Sequence, residues 1–226
     1  MITDKKQKAK KKGHFSWGTF LFALLTAAVL WFFMFSPWTS GRFNFWIEMS
    51  CAAVVLTTFT IFFTSDRKAL FHIEKPLLQI VAGIAIAAAL WGVFWVGDRL
   101  SSLMFDFARP EVDAVYAMKT GLPPSVIAIL LLVLIGPAEE LFWRGYVQRS
   151  LLRVLSGKHT ANWAFIVTTL VYALVHIWSF NFMLIMAALV AGTVWGLLYR
   201  LNPKLLPALI ISHAFWDALV FVILPI

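Results

Sequence analysis

Charge is what this sequence has least of. Only 13% of its 226 residues are Asp, Glu, Lys or Arg, where soluble domains carry about 25%, and 61% are hydrophobic. With a mean hydropathy of +0.83, that excludes an ordinary soluble domain. Cysteine is nearly absent as well. Cys51 stands alone in an apolar segment, so no disulfide framework or catalytic thiol is implied, and a small buried hydrophobe is expected there. No HExxH occurs, so the strong local signature of a zinc protease is missing. There is no internal repeat, second domain or soluble module. The formal charge of +8 does not point to nucleic acid, because the basic residues are dispersed around apolar segments apart from one terminal run.

What is present is a series of long apolar runs. Expected spans are residues 15–35, 45–63, 77–96, 122–152, 162–178, 182–201 and 206–224, most of them close to the ~20 residues that cross a bilayer core. The expected fold is therefore all-α: a polytopic membrane helix bundle of about seven transmembrane helices, forming one domain over residues 15–226 behind a basic, disordered tail at 1–14. Eleven Trp and 21 Phe suit aromatic belts at both lipid–water boundaries. The run from Phe15 to Phe35 is too long for a signal-peptide core, and no clear cleavage site follows it.

Orientation follows from counting Lys and Arg. With the amino terminus cytoplasmic, the inner groups are Lys5, Lys6, Lys8, Lys10, Lys11, Lys12, Arg67, Lys68, Lys75, Arg149, Arg153, Lys158, Arg200 and Lys204. The outer groups are only Arg42, Arg99, Arg109 and Lys119, and Arg144 alone remains within the membrane. This asymmetry predicts amino terminus in and carboxyl terminus out. The longest outer connection, Asp98 to Gly121, reads as a surface-lying linker with a short interfacial helix. Ala188, Gly192 and Gly196 recur every four residues, giving one span a smooth face for close helix packing.

The fourth run contains Gly136-Pro137-Ala138-Glu139-Glu140-Leu141-Phe142-Trp143-Arg144. Charges at that depth cost roughly 2.5–3.5 kcal/mol each on insertion scales, so they persist where they pair or do chemistry. Four residues apart on a helix, Glu140 and Arg144 share a face and are expected to form a salt bridge, while Glu139 points about 100° away towards a cavity. The plain alternative is a charged pair that only locks helices together. Pro137 lacks an N–H, so a bend is expected beside Gly136.

Of five histidines, His14, His72 and His159 fall in tails or loops, whereas His176 and His213 lie inside spans. Tyr172 precedes His176 by four residues, and Asp217 follows His213 by four, so each pair shares a helix face. Counted from the cytoplasmic ends, Glu139, His176 and Asp217 lie roughly 20–24 Å up and His213 roughly 14 Å. They converge if their three helices are neighbours.

In this order on successive spans, Glu139-Glu140-xxx-Arg144, Tyr172-xxx-His176 and His213-xxx-Asp217 resemble the CAAX protease and bacteriocin-processing (Abi/CPBP) family of intramembrane glutamic endopeptidases. The resemblance covers about residues 120–220. It implies that Glu139 is the general base that activates a water, that His176 helps position the water, and that His213 with Asp217 stabilises the oxyanion. Glu140 and Arg144 would be the supporting pair. Two positions depart from the family pattern: Tyr172 stands where Phe is usual, and Asp217 where Asn is frequent. An ionised Asp cannot donate to an oxyanion, so Asp217 donates only if protonated and otherwise orients His213.

No cofactor is implied by this mechanism. The alternative is a zinc-dependent protease using the same Glu139, His176 and His213 with a water in the fourth position. A third reading is a non-catalytic immunity or scaffold protein that binds a partner through the same polar cavity. The expected partners are the lipid bilayer and a peptide, a prenylated peptide or a membrane-protein substrate, with no nucleic acid. Short loops suggest a prokaryotic inner membrane, which favours the unprenylated substrates.

Overall fold

Seven helices of the computed structural model are long and apolar enough to cross a membrane, among described residues 15–64 and 66–226. They are α1 (Trp17–Phe35), α2 (Phe45–Phe63), α3 (Pro76–Met104), α5 (Pro124–Val154), α6 (Thr160–Ser179), α7 (Phe182–Leu201) and α8 (Pro203–Ile223), with a short outer helix, α4 (Ala108–Ala117), between α3 and α5. No strand occurs among the described residues, and the chain is an all-α, multi-pass membrane bundle. The basic tail expected at 1–14, with His14, lies outside the described residues.

Local chemistry sets the helix ends. Ser16, Asn44 and Asn181 each accept a hydrogen bond from a first-turn N–H of α1, α2 and α7. Pro76 and Pro124 open α3 and α5, where their missing N–H would have no helical partner anyway. The expected third span stops short, because α3 runs on through Leu100, Leu103 and Met104. Only Ala108–Ala117 forms the interfacial helix, and at ten residues it is too short to cross.

The central element is α5, packed by α2, α6, α7 and α8. Its stretch Phe142–Gln148 is buried on every side, as expected for a helix with neighbours all round. The helix stays continuous through Pro137. Leu131–Ile135 and Leu141–Gln148 are π-helical, and Gly136 N–H bonds back to the carbonyl of Leu131. The wider turn absorbs the proline and keeps the helix continuous. Such π segments cluster at functional sites.

Two glycines set the helix approaches that matter for the site. A Cβ on Gly136 would lie 2.6 Å from Cα and 2.8 Å from N of Ala214, so only glycine lets α8 come this close to α5. On α7, a Cβ on Gly192 would lie 2.7 Å from Cδ1 of Tyr172, and one on Gly196 3.0 Å from Oγ1 of Thr169. The small-residue face of α7 is therefore where α6 packs, as its spacing predicted.

Ion pairs mark the two ends of the bundle. At one end, Asp66 lies 3.6 Å from Arg149 and 3.9 Å from Arg153, and Lys204 lies 3.0 Å from Glu74. The Lys204 hydrogen bond holds the Glu74 carboxyl below its ordinary range. At the other end, Arg109 joins Asp98 at 3.1 Å and Asp113 at 2.7 Å. Glu111 accepts from Met183 N at 2.8 Å, tying α4 to the start of α7. Cys51 departs from expectation: it is exposed on α2 rather than buried.

Candidate active site

Glu139, Tyr172, His176, His213 and Asp217 line one cavity of about 440 Å³. Side chains from α5, α6 and α8 thus converge as the depth argument required. All are buried, as are Glu140 and Arg144.

The two adjacent carboxylates face different neighbours. Glu140 Oε1 accepts from Arg144 Nη1 at 2.7 Å and also from His213 Nδ1 at 2.9 Å, linking α5 to α8. Arg144 Nη2 donates to the Gly192 carbonyl at 3.1 Å, and the guanidinium lies over the rings of Tyr172 and Trp195. One turn along, Gln148 Nε2 donates to the Gly196 carbonyl at 2.9 Å. The glycine stripe thus also presents carbonyls that α5 reads. Glu139 turns the other way, onto the cavity wall, and its Oε2 accepts no hydrogen bond from any described residue. The charges acting on it are His213, Glu140 and Arg144.

His213 is fixed on three sides. Its Nδ1 faces Glu140, its Nε2 lies 3.5 Å from Asp217 Oδ2, and its ring stacks on Trp195 with centroids 3.9 Å apart at 18°. Trp195 is itself held, donating from Nε1 to Ser212 Oγ at 3.0 Å. Both nitrogens of His213 therefore face carboxylate acceptors.

His176 sits differently. Its Nδ1 is 2.9 Å from the Tyr172 carbonyl, which can only accept, so Nδ1 carries the proton. Its Nε2 then accepts from the indole N–H of Trp31 at 3.1 Å. Trp31 is fully buried on α1, and its ring also packs against Trp143. Sequence reading missed this residue. The available signal was a tryptophan at the middle of an apolar run, away from the interfaces where this residue concentrates.

With its proton on Nδ1 and its lone pair taken by Trp31, His176 has no nitrogen free for a metal. Among the described residues, no group of three or more His, Cys, Asp or Glu could hold an ion. The Glu139, His176 and His213 set does not fit zinc as arranged.

The outer segment is more than a linker. Val112, Val115 and Tyr116 of α4 line the cavity, so this helix roofs it.

Residues 121–219 match the family model described as Rce1-like, type II CAAX prenyl endopeptidase Rce1-like. This is the stretch, from the start of α5 into α8, that holds every polar residue named by the three motifs, and the match bears out the resemblance read from them. The matched family is one of proteases. Trp31 and the roof helix lie outside it. No curated protein and no solved structure matches the chain.

Proposed function

We propose that this protein is a glutamate-dependent endopeptidase of a prokaryotic cell membrane, hydrolysing peptide bonds within the bilayer. The observation that carries the reading is the Glu139 carboxylate on the cavity wall, with an oxygen that no described residue satisfies, sharing that wall with His213.

The chemistry runs in two steps. Glu139 takes a proton from a water as the oxygen attacks the scissile carbonyl carbon, and the carbonyl oxygen becomes an oxyanion. His213, oriented by its Nδ1–H on Glu140, donates to it from Nε2–H as an imidazolium, with the Asp217 carboxylate 3.5 Å from that nitrogen as its counter-charge. Preorganised donors in such a water-poor cavity contribute several kcal/mol, as about 2.7–4 kcal/mol for one oxyanion-hole donor shows. Glu139 then passes its proton to the leaving nitrogen as the C–N bond breaks, leaving an acid and an amine. Asp217 here acts through His213 and is not itself a donor. The Glu140–Arg144 pair holds His213 in place from the other side.

The direct test is cleavage of an internally quenched apolar peptide by purified protein in nanodiscs, before and after exhaustive chelation. Hydrolysis is expected, and at an unchanged rate after chelation. Loss of activity that added zinc restores would overturn the metal-free mechanism, and no cleavage of any apolar peptide would overturn the enzyme reading.

For His176 to steer a water through Nε2, Trp31 must release it. Trp31→Phe keeps an aromatic ring and deletes the competing donor, so kcat is expected to rise several-fold with KM little changed. A fall in kcat to the level of His176→Ala would instead make the Trp31 hydrogen bond a requirement for a working His176.

A further inference from the structure

The cavity is lopsided along the bundle. From Glu139 near mid-helix it extends to Asp98 and Ser101 at the far end of α3, beneath the roof helix α4. None of its lining residues comes from the end where Asp66 meets Arg149 or Glu74 meets Lys204.

That closed end is the basic one. Among the described residues it carries Arg67, Lys68, Lys75, Arg149, Arg153, Lys158, Arg200 and Lys204 against only Asp66 and Glu74, whereas the open end sets Arg42, Arg99, Arg109 and Lys119 against Glu48, Asp98, Asp106, Glu111 and Asp113. Basic residues in short loops stay cytoplasmic. The cavity therefore opens in the outer half of the membrane.

Its wall has a side door there. Val93 and Gly97 of α3 and Met186 and Val190 of α7 line it from two helices that touch little elsewhere, and Val93 is 51% exposed. With α4 overhead, tied to α3 through Arg109–Asp98 and to α7 through Glu111–Met183, the gap between α3 and α7 leaves a path sideways from lipid. The lining beyond the polar floor is mainly Phe, Trp, Met, Val and Ala. Such a wall gains about 25 cal/mol for each Å² of apolar surface it covers, and offers nothing to a charged chain.

Resting on the peptidase reading above, we infer that the substrate is an apolar peptide segment that reaches Glu139 from the non-cytoplasmic half of the bilayer, passing between α3 and α7. An exported peptide held at the outer surface has this chemistry, and a cytoplasmic chain terminus does not reach the site.

Two readouts test this, one blind to catalysis. In a Cys51→Ser background, Ser102→Cys at the outer end of α3 and Ser156→Cys in the α5–α6 loop are each treated with a membrane-impermeant maleimide. Ser102→Cys is expected to label in right-side-out vesicles and Ser156→Cys only in inverted ones. The opposite pattern overturns the inference whether or not the protein is a protease. In proteoliposomes sorted by that labelling, a membrane-impermeant quenched apolar peptide is expected to be cut only from the Ser102 side. Cleavage only from the Ser156 side overturns the access route. Correct labelling with no cleavage from either side overturns the peptidase reading and, with it, the substrate named here. Bulky side chains at the door, Gly97→Trp and Val190→Trp tested separately, are expected to raise KM with kcat nearly unchanged. An unchanged KM in both folded variants would exclude the gap as the entrance.

Discussion

Replacing Glu139 with Gln is expected to abolish peptide hydrolysis, by about 10²–10⁴-fold, the usual contribution of a positioned general base. The substitution is nearly isosteric, and the carboxylate oxygen Oε2 accepts no bond from any described residue, so the change takes little from the fold. It also removes one negative charge from a site that already holds Glu140 and Asp217. The variant should therefore purify as well as the parent protein and unfold no earlier. This pairing of lost rate with kept stability is what distinguishes a base from a structural carboxylate. Full activity in a folded Glu139→Gln protein would end the mechanism. Protection by the same variant in a bacteriocin-challenge assay would point to the non-catalytic immunity reading.

The sequence was most legible where one residue type has one physical outcome. Apolar runs of fixed length gave the seven spans, and α2 and α7 begin and end where expected. Glu140 and Arg144 at helical spacing predicted their own contact, and the Ala188–Gly192–Gly196 stripe predicted a close neighbour. What stayed hidden depends on partners distant in the chain. Trp31 meets His176 across 145 residues, and no local pattern links them. Pro137 signalled a bend, but not the π turns on both sides of Gly136–Glu140 that re-satisfy the backbone where α8 packs closely at Ala214. Asp98 and Arg109 looked like ordinary loop charges, because nothing in their neighbourhood reveals that they pair and pin a roof over a cavity. The exposure of Cys51 shows the limit of composition: in a membrane, an apolar segment can face lipid as readily as protein.

Breaking the buried pair is the stability counterpart. Arg144 and Glu140 are both fully buried, and the carboxylate is shared with His213. Arg144→Met removes the fully buried guanidinium beside Glu140 and leaves that carboxylate leaning on His213 alone. The expected cost is about 3–5 kcal/mol, because an uncompensated buried charge loses far more than a surface pair would. Glu140→Gln is expected to be damaging as well, since it strands the guanidinium beside the Gly192 carbonyl and the Tyr172 and Trp195 rings. Combining the two changes leaves no unpaired charge, so the double variant should be less destabilised than the sum of the singles, with a coupling of about 0.5–3 kcal/mol. Unfolding of all three proteins in one detergent by thermal or denaturant titration measures this. Additive losses would mean that the charges act independently and that the pair does not lock α5. A recovered double variant that still cleaves slowly would separate two jobs of this pair: holding the bundle together, and aiming His213 at the place where Glu139 delivers its water.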